Sequence, residues 1–250
     1  MTSSYSRNQD LWSHSPSQVD FPTGQVDLWK VGLDQPAAAE SDDILSPDER
    51  LRAGLFHFEK DRSQFVRCRS SLRNLLARYL GVQADEILFE YTANGKPQLV
   101  AKQNPRGLQF NVSHSASVAL IAIGGNKRIG VDIERIRDDV DTTALAKRFF
   151  SQRERVALEA LPKGLHLPAF FACWTRKESF LKATGDGLSF ALSDFSVTTH
   201  PDLHPAIEEI RGDATTGRQW FLADLSVADG YSASVCVDTP FSGLRTYLQD

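Results

Sequence analysis

Asp132 and Glu134 sit two positions apart in "GVDIER", residues 130–135, alternating with Val131 and Ile133. Side chains two apart on a strand share a face roughly 7 Å from one another, so both carboxylates can approach one small cation. Further along, "FFACWTRKESFLKATG" places Lys177, Glu178, Leu181 and Lys182 at +3, +4, +7 and +8 from Trp174. That spacing predicts one helical face with three charges beside bulky apolar groups. Charges in such a stripe are costly to bury without a partner. Asp132, Glu134 and Glu178 form an oxygen-only set suited to a hard cation, and no nearby Cys or paired His points to zinc. Lysines beside a bound metal, here Lys177 and Lys182, offset charge on phosphate oxygens, so the chemistry indicated is transfer at a phosphodiester or pyrophosphate.

Each cluster also has a plainer reading. Glu178 and Lys182 are an i to i+4 pair in the favourable surface orientation, worth about 0.2–0.5 kcal/mol. Asp132 and Glu134 alone fit the wet face of an antiparallel sheet. Two independent acidic clusters on elements expected to pack together favour a site.

The elements that must position these residues are readable from periodicity and punctuation. "QVDLWKVGLD" reads as a first strand, and Ser46-Pro47 with Glu49 three residues after Ser46 marks a helix start. Phe65, Leu72, Leu75, Leu76 and Tyr79 recur at helical spacing over about 61–80, with Gly81 as the stop. "ILFEYTANGKPQLV" reads as a hairpin turning at Asn94-Gly95. "LQFNVSHSASVALIAIGG" gives a strand, a polar interruption at 111–117 and a buried strand, and the acidic strand comes next. "TTALAKRFFSQRERVALEAL" is a helical pair or one broken helix. The catalytic-looking helix is expected from Pro168 to Thr184, and "FSVTTH", "QWFLADLSV" and "YSASVCVD" read as short strands. The fold class expected is α+β in two halves. The expected division is a mobile N-terminal extension over 1–24, a first half over 25–127 and a second over 128–250. No internal sequence repeat is evident.

The 250 residues suffice for one large domain or two smaller ones, with 41% hydrophobic and 24% charged residues. A net charge of −4 excludes a polycation built to coat nucleic acid. Between Arg50 and Arg78, however, eight Lys or Arg face two acids, which suggests either an anionic ligand or a solvated helix face. Cys68, Cys173 and Cys236 form no CxxC pair, so a reducing, cytoplasmic setting is expected. The N-terminus lacks a signal-peptide core, and no apolar run approaches the roughly 18 residues of a spanning helix.

"IGVDIE" followed by "FFACWTRKESFLKATGDGL" closely resembles the paired signatures of 4′-phosphopantetheinyl transferases of the long, Sfp-type class. "NGKPQL" and "FNVSHS" precede them in the expected order, and "RFF" lies between, so the resemblance spans roughly residues 26–238. It implies two similar α/β halves in one chain with a pseudo-twofold relation. The activity implied is transfer of the 4′-phosphopantetheine arm of coenzyme A to a serine of an apo acyl or peptidyl carrier protein, releasing adenosine 3′,5′-bisphosphate. It further implies Mg²⁺, with Mn²⁺ as its substitute, on Asp132, Glu134 and Glu178, with Asp132 the stronger candidate for direct ligation. Lys177 and Lys182 would lie near the pyrophosphate, Ser113 and His114 along coenzyme A, and Gly95 and Lys96 near its adenine or 3′-phosphate. Lys60 and Arg62, with Arg69, would offer charge-assisted contacts to the 3′-phosphate. Catalysis would fall to Glu178, activating the serine, to Lys182 at the leaving phosphate, and to Asp132. A monomer is expected, without nucleic-acid or membrane partners.

Other motifs carry less. Ser113-His114 cannot form a triad from adjacent positions, and no GxSxG elbow is present. His200 and His204 flank Pro201 and precede Pro205, which reads as a surface turn. A coenzyme A or carrier-binding module without activity is the alternative class, opposed by the intact set Asp132, Glu134, Lys177, Glu178 and Lys182. A nucleic-acid binder lacks any recognised motif.

Overall fold

The apolar runs around Val26–Val31 and Val118–Ile123 need cover on both faces, and a computed structural model shows how they obtain it. It describes residues 12–35, 41–185, 191–211 and 219–249. The first half contains β1 (Ser13–His14), β2 (Val26–Gly32), α1 (Pro47–Gly54), α2 (Glu59–Leu80), β3 (Phe89–Tyr91), β4 (Pro97–Leu99), β5 (Leu108–Ser115) and β6 (Val118–Gly125). The second contains β7 (Ile129–Arg135), α3 (Thr142–Phe149), α4 (Gln152–Glu159), α5 (Lys163–Thr184), β8 (Phe195–Val197), β9 (Ile207–Ile210), β10 (Phe221–Asp224), β11 (Tyr231–Val237) and β12 (Leu244–Gln249).

Four layers result. Leu72, Leu75 and Leu76 of α2 pack on Trp29, Val31, Phe110 and Ile121 of a first sheet. The other face of that sheet, with Val26, Leu28, Leu120 and Ala122, meets Ile129, Val131, Ile133 and Val235 of a second sheet. The outer face of the second sheet is covered by α5 through Phe170, Cys173, Phe180 and Ala183, near Leu222 and Cys236.

The halves repeat each other in topology. In each, a strand leads through helices ending in a 22-residue helix, then a two-stranded hairpin, then two further strands. The strand orders β2-β6-β5 and β7-β11-β10 correspond, every pair antiparallel. No repeat shows in the sequence because a shared topology needs only apolar residues of matching period.

The first sheet is wider than the second because β12 joins β2 in parallel and β1 joins β12. The expected second half, 128–250, therefore gives its last strand to the first sheet. "LRTYLQ" carries no clear strand signature in the sequence because it is half-exposed throughout, without a clean apolar face. Residues 12–24, expected to be mobile, are tied down. Trp12 Nε1 donates to Ser226 O at 2.8 Å, and Arg78 bonds Ser15 Oγ at 2.9 Å. Residues 1–11 lie outside the described ones.

Two local expectations change, and one choice left open by the sequence is settled. α5 begins at Lys163, so Pro168 lies inside it; the missing amide costs one bond but does not break the helix. "TTALAKRFFSQRERVALEAL" forms two helices, α3 and α4, because Ser151 starts the second with a capping box to Glu154. The β3–β4 turn closes by Gly95 N to Thr92 O at 2.8 Å, with Gly95 at φ +75°. Asn94 stays out of the left-handed region, so this is a longer turn than the two-residue one expected from Asn94-Gly95.

Candidate active site

β7 has two faces. Ile129, Val131 and Ile133 enter the core between the sheets, and Gly130, Asp132 and Glu134 lie beneath α5. A Cβ on Gly130 would fall 2.1 Å from Ser179 O and 2.4 Å from Ala183 N. Only glycine admits the helix backbone this closely. The contact brings Lys182 over the next residue on that face, Asp132.

Asp132 is 3% exposed. Its Oδ1 accepts Lys182 Nζ at 2.6 Å and Ser113 Oγ at 2.9 Å. Its Oδ2 is buried and has no hydrogen-bond partner. Glu134 Oε2 accepts Ser115 Oγ at 2.9 Å, and Ser115 Oγ in turn accepts Arg135 N at 3.0 Å. Burial pushes all three carboxyl groups above their usual range. The Asp132 charge raises Glu134 and Glu178 further, while Lys182 opposes the rise at all three. One ammonium thus serves three acids, and one buried carboxylate oxygen is orphaned.

This donor set fits a divalent oxygen-seeking cation. Among the described residues, no group of three or more His, Cys, Asp or Glu side chains is placed to hold a metal ion. Mg²⁺ does not demand one, since it keeps waters and commonly takes one or two carboxylates plus phosphate oxygens.

The other wall comes from the first half. β5 runs beside β7, and its alternate side chains stitch the two strands: Asn111 Oδ1 accepts Val131 N at 2.9 Å, Ser113 holds Asp132 and Ser115 holds Glu134. Asn111 and Ser115 are not among the site residues expected from the sequence. The available signal is small polar residues at period two in "NVSHS", matching Gly130, Asp132 and Glu134. Ser113 is brought to the site, where it holds a carboxylate. His114 lines the adjoining cleft, and burial, with the charge of Lys182, lowers its pKa and favours the neutral ring.

The cleft, about 410 Å³, is lined by Ser113, His114, Asp132, Glu134, Trp174, Glu178 and Lys182. It shares Val112 and His114 with a cavity of about 500 Å³ that reaches Arg52, Gln64, Phe65 and Arg69. On the other side it shares Trp174, Glu178 and Lys182 with one of about 760 Å³, where Phe149, Leu181 and Leu192 join Lys96 and Arg148. Together they form a groove across the seam between the halves.

Other expected residues reach only the arms of the groove, or lie outside it. Lys177 is fully buried on another side of α5, bonded to Glu154 at 2.7 and 2.8 Å and to Phe195 O at 2.6 Å. The expectation that it shares a face with Glu178 is corrected: adjacent helical residues differ by about 100° in direction, and packing chose Glu178 for the cleft. Arg62 pairs with Asp42 at 2.9 Å and Glu59 at 3.3 Å, and neither it nor the exposed Lys60 lines the groove. Arg69 and Arg73 converge on the buried Glu49 at 2.6 and 2.5 Å. Much of the basic stretch therefore makes internal bonds. Gly95 is exposed in its turn. Lys96 lines the larger cavity, and its ammonium donates to Lys182 O at 2.6 Å and Ile129 O at 3.1 Å. The "DGL" after Gly185 lies outside the described residues.

Both halves of the chain are similar to known proteins. Residues 128–236 match a family model described as the 4′-phosphopantetheinyl transferase superfamily, and residues 34–125 match one described as 4′-phosphopantetheinyl transferase, N-terminal. The chain is 37% identical over 231 residues to the 4′-phosphopantetheinyl transferase HetI of Nostoc sp., covering 92% of this chain and 94% of that protein. It is 28% identical to the 4′-phosphopantetheinyl transferase Sfp of Bacillus subtilis, covering 85% and 92% respectively. It is 27% identical to the human L-aminoadipate-semialdehyde dehydrogenase-phosphopantetheinyl transferase, covering 78% and 68%.

Proposed function

The chain belongs to the 4′-phosphopantetheinyl transferase superfamily and transfers that group to carrier proteins, and from this premise we propose that the reaction takes place in the cleft between β5 and β7. The family uses coenzyme A and apo carrier proteins. The groove suits coenzyme A: Arg52, Arg69 and His114 line one arm, and Phe149, Trp174 and Leu181 line the other.

Asp132, Glu134 and Glu178 would hold Mg²⁺, with Mn²⁺ as its substitute. The bound ion supplies positive charge to phosphate oxygens that gain negative charge in the transition state. The carrier serine attacks the phosphorus that bears the pantetheine arm. Its oxygen forms the new P–O bond, and the bond to the bridging pyrophosphate oxygen breaks. Glu178 would take the serine proton. The bonding pair leaves with adenosine 3′,5′-bisphosphate, whose new phosphate charge Lys182 stabilises. His114 would donate a hydrogen bond to a phosphate, and Ser113 bonds both Asp132 and Lys182.

The observation that carries this reading is that Asp132, Glu178 and Lys182, from two separate elements, line one cleft, with Lys182 on Asp132 Oδ1 and Asp132 Oδ2 left without a hydrogen bond. We further read the protein as a monomer, since one chain supplies both walls of the cleft. Among the described residues no helix is long and apolar enough to cross a membrane, and the three cysteines are free and buried, in keeping with a reducing cytoplasm. Intact-mass analysis of apo carrier proteins incubated with the enzyme, coenzyme A and Mg²⁺ tests the proposal. A gain of about 340 Da, the pantetheine arm with its phosphate, is expected. No gain on any carrier overturns it.

A further inference from the structure

We propose that Lys96 is a positioning residue for the transfer: its ammonium, with the Asn94 amide, caps the C-terminal end of α5 from the opposite half of the chain and so holds Lys182 over Asp132. The inference rests on the assignment of Lys182 to the reacting phosphates.

A helix leaves its last carbonyls without intrahelical partners. At the end of α5, Gly185 adopts φ +75° and returns its N–H to Leu181 O, which meets one of them. Lys182 O is met by Lys96 Nζ at 2.6 Å, and Gly185 O by Asn94 Nδ2 at 2.9 Å. Both donors belong to the β3–β4 turn of the first half. A cation at a helix C-terminus is also favoured by the helix dipole.

The same ammonium donates to Ile129 O at 3.1 Å, one residue before Gly130, where α5 touches β7. Lys96 therefore pins three segments together: the hairpin, the start of the acidic strand and the residue whose side chain reaches Asp132. Burial, together with the charges of Arg128 and Lys182, lowers its pKa to about 8. A cation kept in such surroundings is retained by its two carbonyls rather than by any attraction to the neighbouring charges. Gly95, in the left-handed region, gives the turn the shape that projects Asn94 and Lys96 across the seam.

This role differs from direct contact between the lysine and coenzyme A, and the two separate experimentally. Lys96→Met, Lys96→Arg, Asn94→Ala and Lys182→Ala are compared in the full chain by steady-state transfer, calorimetric binding of coenzyme A, thermal unfolding and amide hydrogen exchange. Lys96→Met is expected to lower kcat about 10- to 100-fold, the scale set by misplacing a reacting group, while the coenzyme A dissociation constant stays within about two-fold. Lys96→Arg recovers most of the loss, because it restores a cation that can donate to both carbonyls. Asn94→Ala shifts kcat in the same direction by less, and exchange quickens in the last turn of α5 before elsewhere.

Weaker coenzyme A binding by Lys96→Met at unchanged kcat overturns the proposal, as does parental behaviour in every assay. If Lys96→Met fails to fold, the exposed Asn94→Ala decides alone: unchanged kcat and unchanged exchange at the end of α5 sink the idea. Full turnover by Lys182→Ala refutes the assignment of Lys182 itself. An inactive Lys182→Ala beside a fully active Lys96→Met refutes only the positioning role.

Discussion

Lys182 Nζ lies 2.6 Å from Asp132 Oδ1, and this ion pair joins the end of α5 to the middle of the acidic strand. The lysine side chain is 29% exposed and that of Asp132 only 4%, so the lysine is the more accessible partner of the pair. Asp132 is the more deeply buried partner, and its second oxygen has no hydrogen bond.

Asp132→Asn keeps the shape of the side chain and removes its charge. Transfer activity is expected to fall by at least about 1,000-fold, since the charge balance of the cleft is lost. The melting temperature of the metal-free protein is expected to hold or rise, because a buried carboxylate with one unpartnered oxygen is no longer being desolvated, which offsets the lost charge on its bond to Lys182. Intact-mass kinetics and thermal unfolding of the same preparation check both halves; near-parental turnover removes Asp132 from the site.

Gly130→Ala places a methyl group against the backbone of α5 at Ser179 and Ala183. Overpacking of this kind costs about 1–3 kcal/mol, and the upper end is expected because neither neighbouring atom is a flexible side-chain tip. Urea unfolding measures the loss. Activity should drop as well, since the helix can relieve the clash only by lifting Lys182 and Glu178 away from Asp132.

Ser115→Ala frees Glu134 from its hydroxyl donor. The Mg²⁺ concentration for half-maximal rate is expected to rise about 10-fold, the usual scale for a group that orients a metal ligand. The KM for coenzyme A should change little. Titrating Mn²⁺ by electron paramagnetic resonance gives the same comparison without turnover, and equal metal affinity in parent and variant excludes the role.

Lys177→Ala leaves Glu154 buried without its ammonium, which costs about 3–5 kcal/mol. Chemical denaturation should report that loss. The fraction that remains folded should bind coenzyme A with parental affinity, since Lys177 lies away from the groove.

Cys68 is buried, and burial pushes its thiol up to about 11. At pH 8 the folded protein should therefore resist alkylation at this residue, with fast labelling only on unfolding. Because the folded state holds the thiol proton above an ordinary value near 9, this group makes stability fall as pH rises from about 9 toward 11. Iodoacetamide labelling followed by peptide mass analysis reads the first effect, and urea midpoints across that range read the second.

Much of the fold is legible without any tertiary contact. The capping box at Ser46 and Glu49, the stop at Gly81 and the buried run of β6 are local patterns, and each appears where its residues indicate. The placement of Asp132 and Glu134 on one strand face, away from Val131 and Ile133, likewise comes from a period of two. The parallel strand β12 is not legible, because its partly buried residues carry no strong period and their partners in β2 lie more than two hundred residues away.

The site divides in the same way. The sequence by itself determined which residue types were present and which could share a face: two carboxylates on a strand, and Glu178 with Lys182 one turn apart on a helix. Only the tertiary structure decided that Lys177 turns inward to Glu154 while Glu178 opens to the cleft, and that Lys96 reaches the end of α5. The reason is physical. Periodicity constrains directions within one element, whereas the facing of one element toward another is set by close packing at points such as Gly130 and by which buried charges find partners.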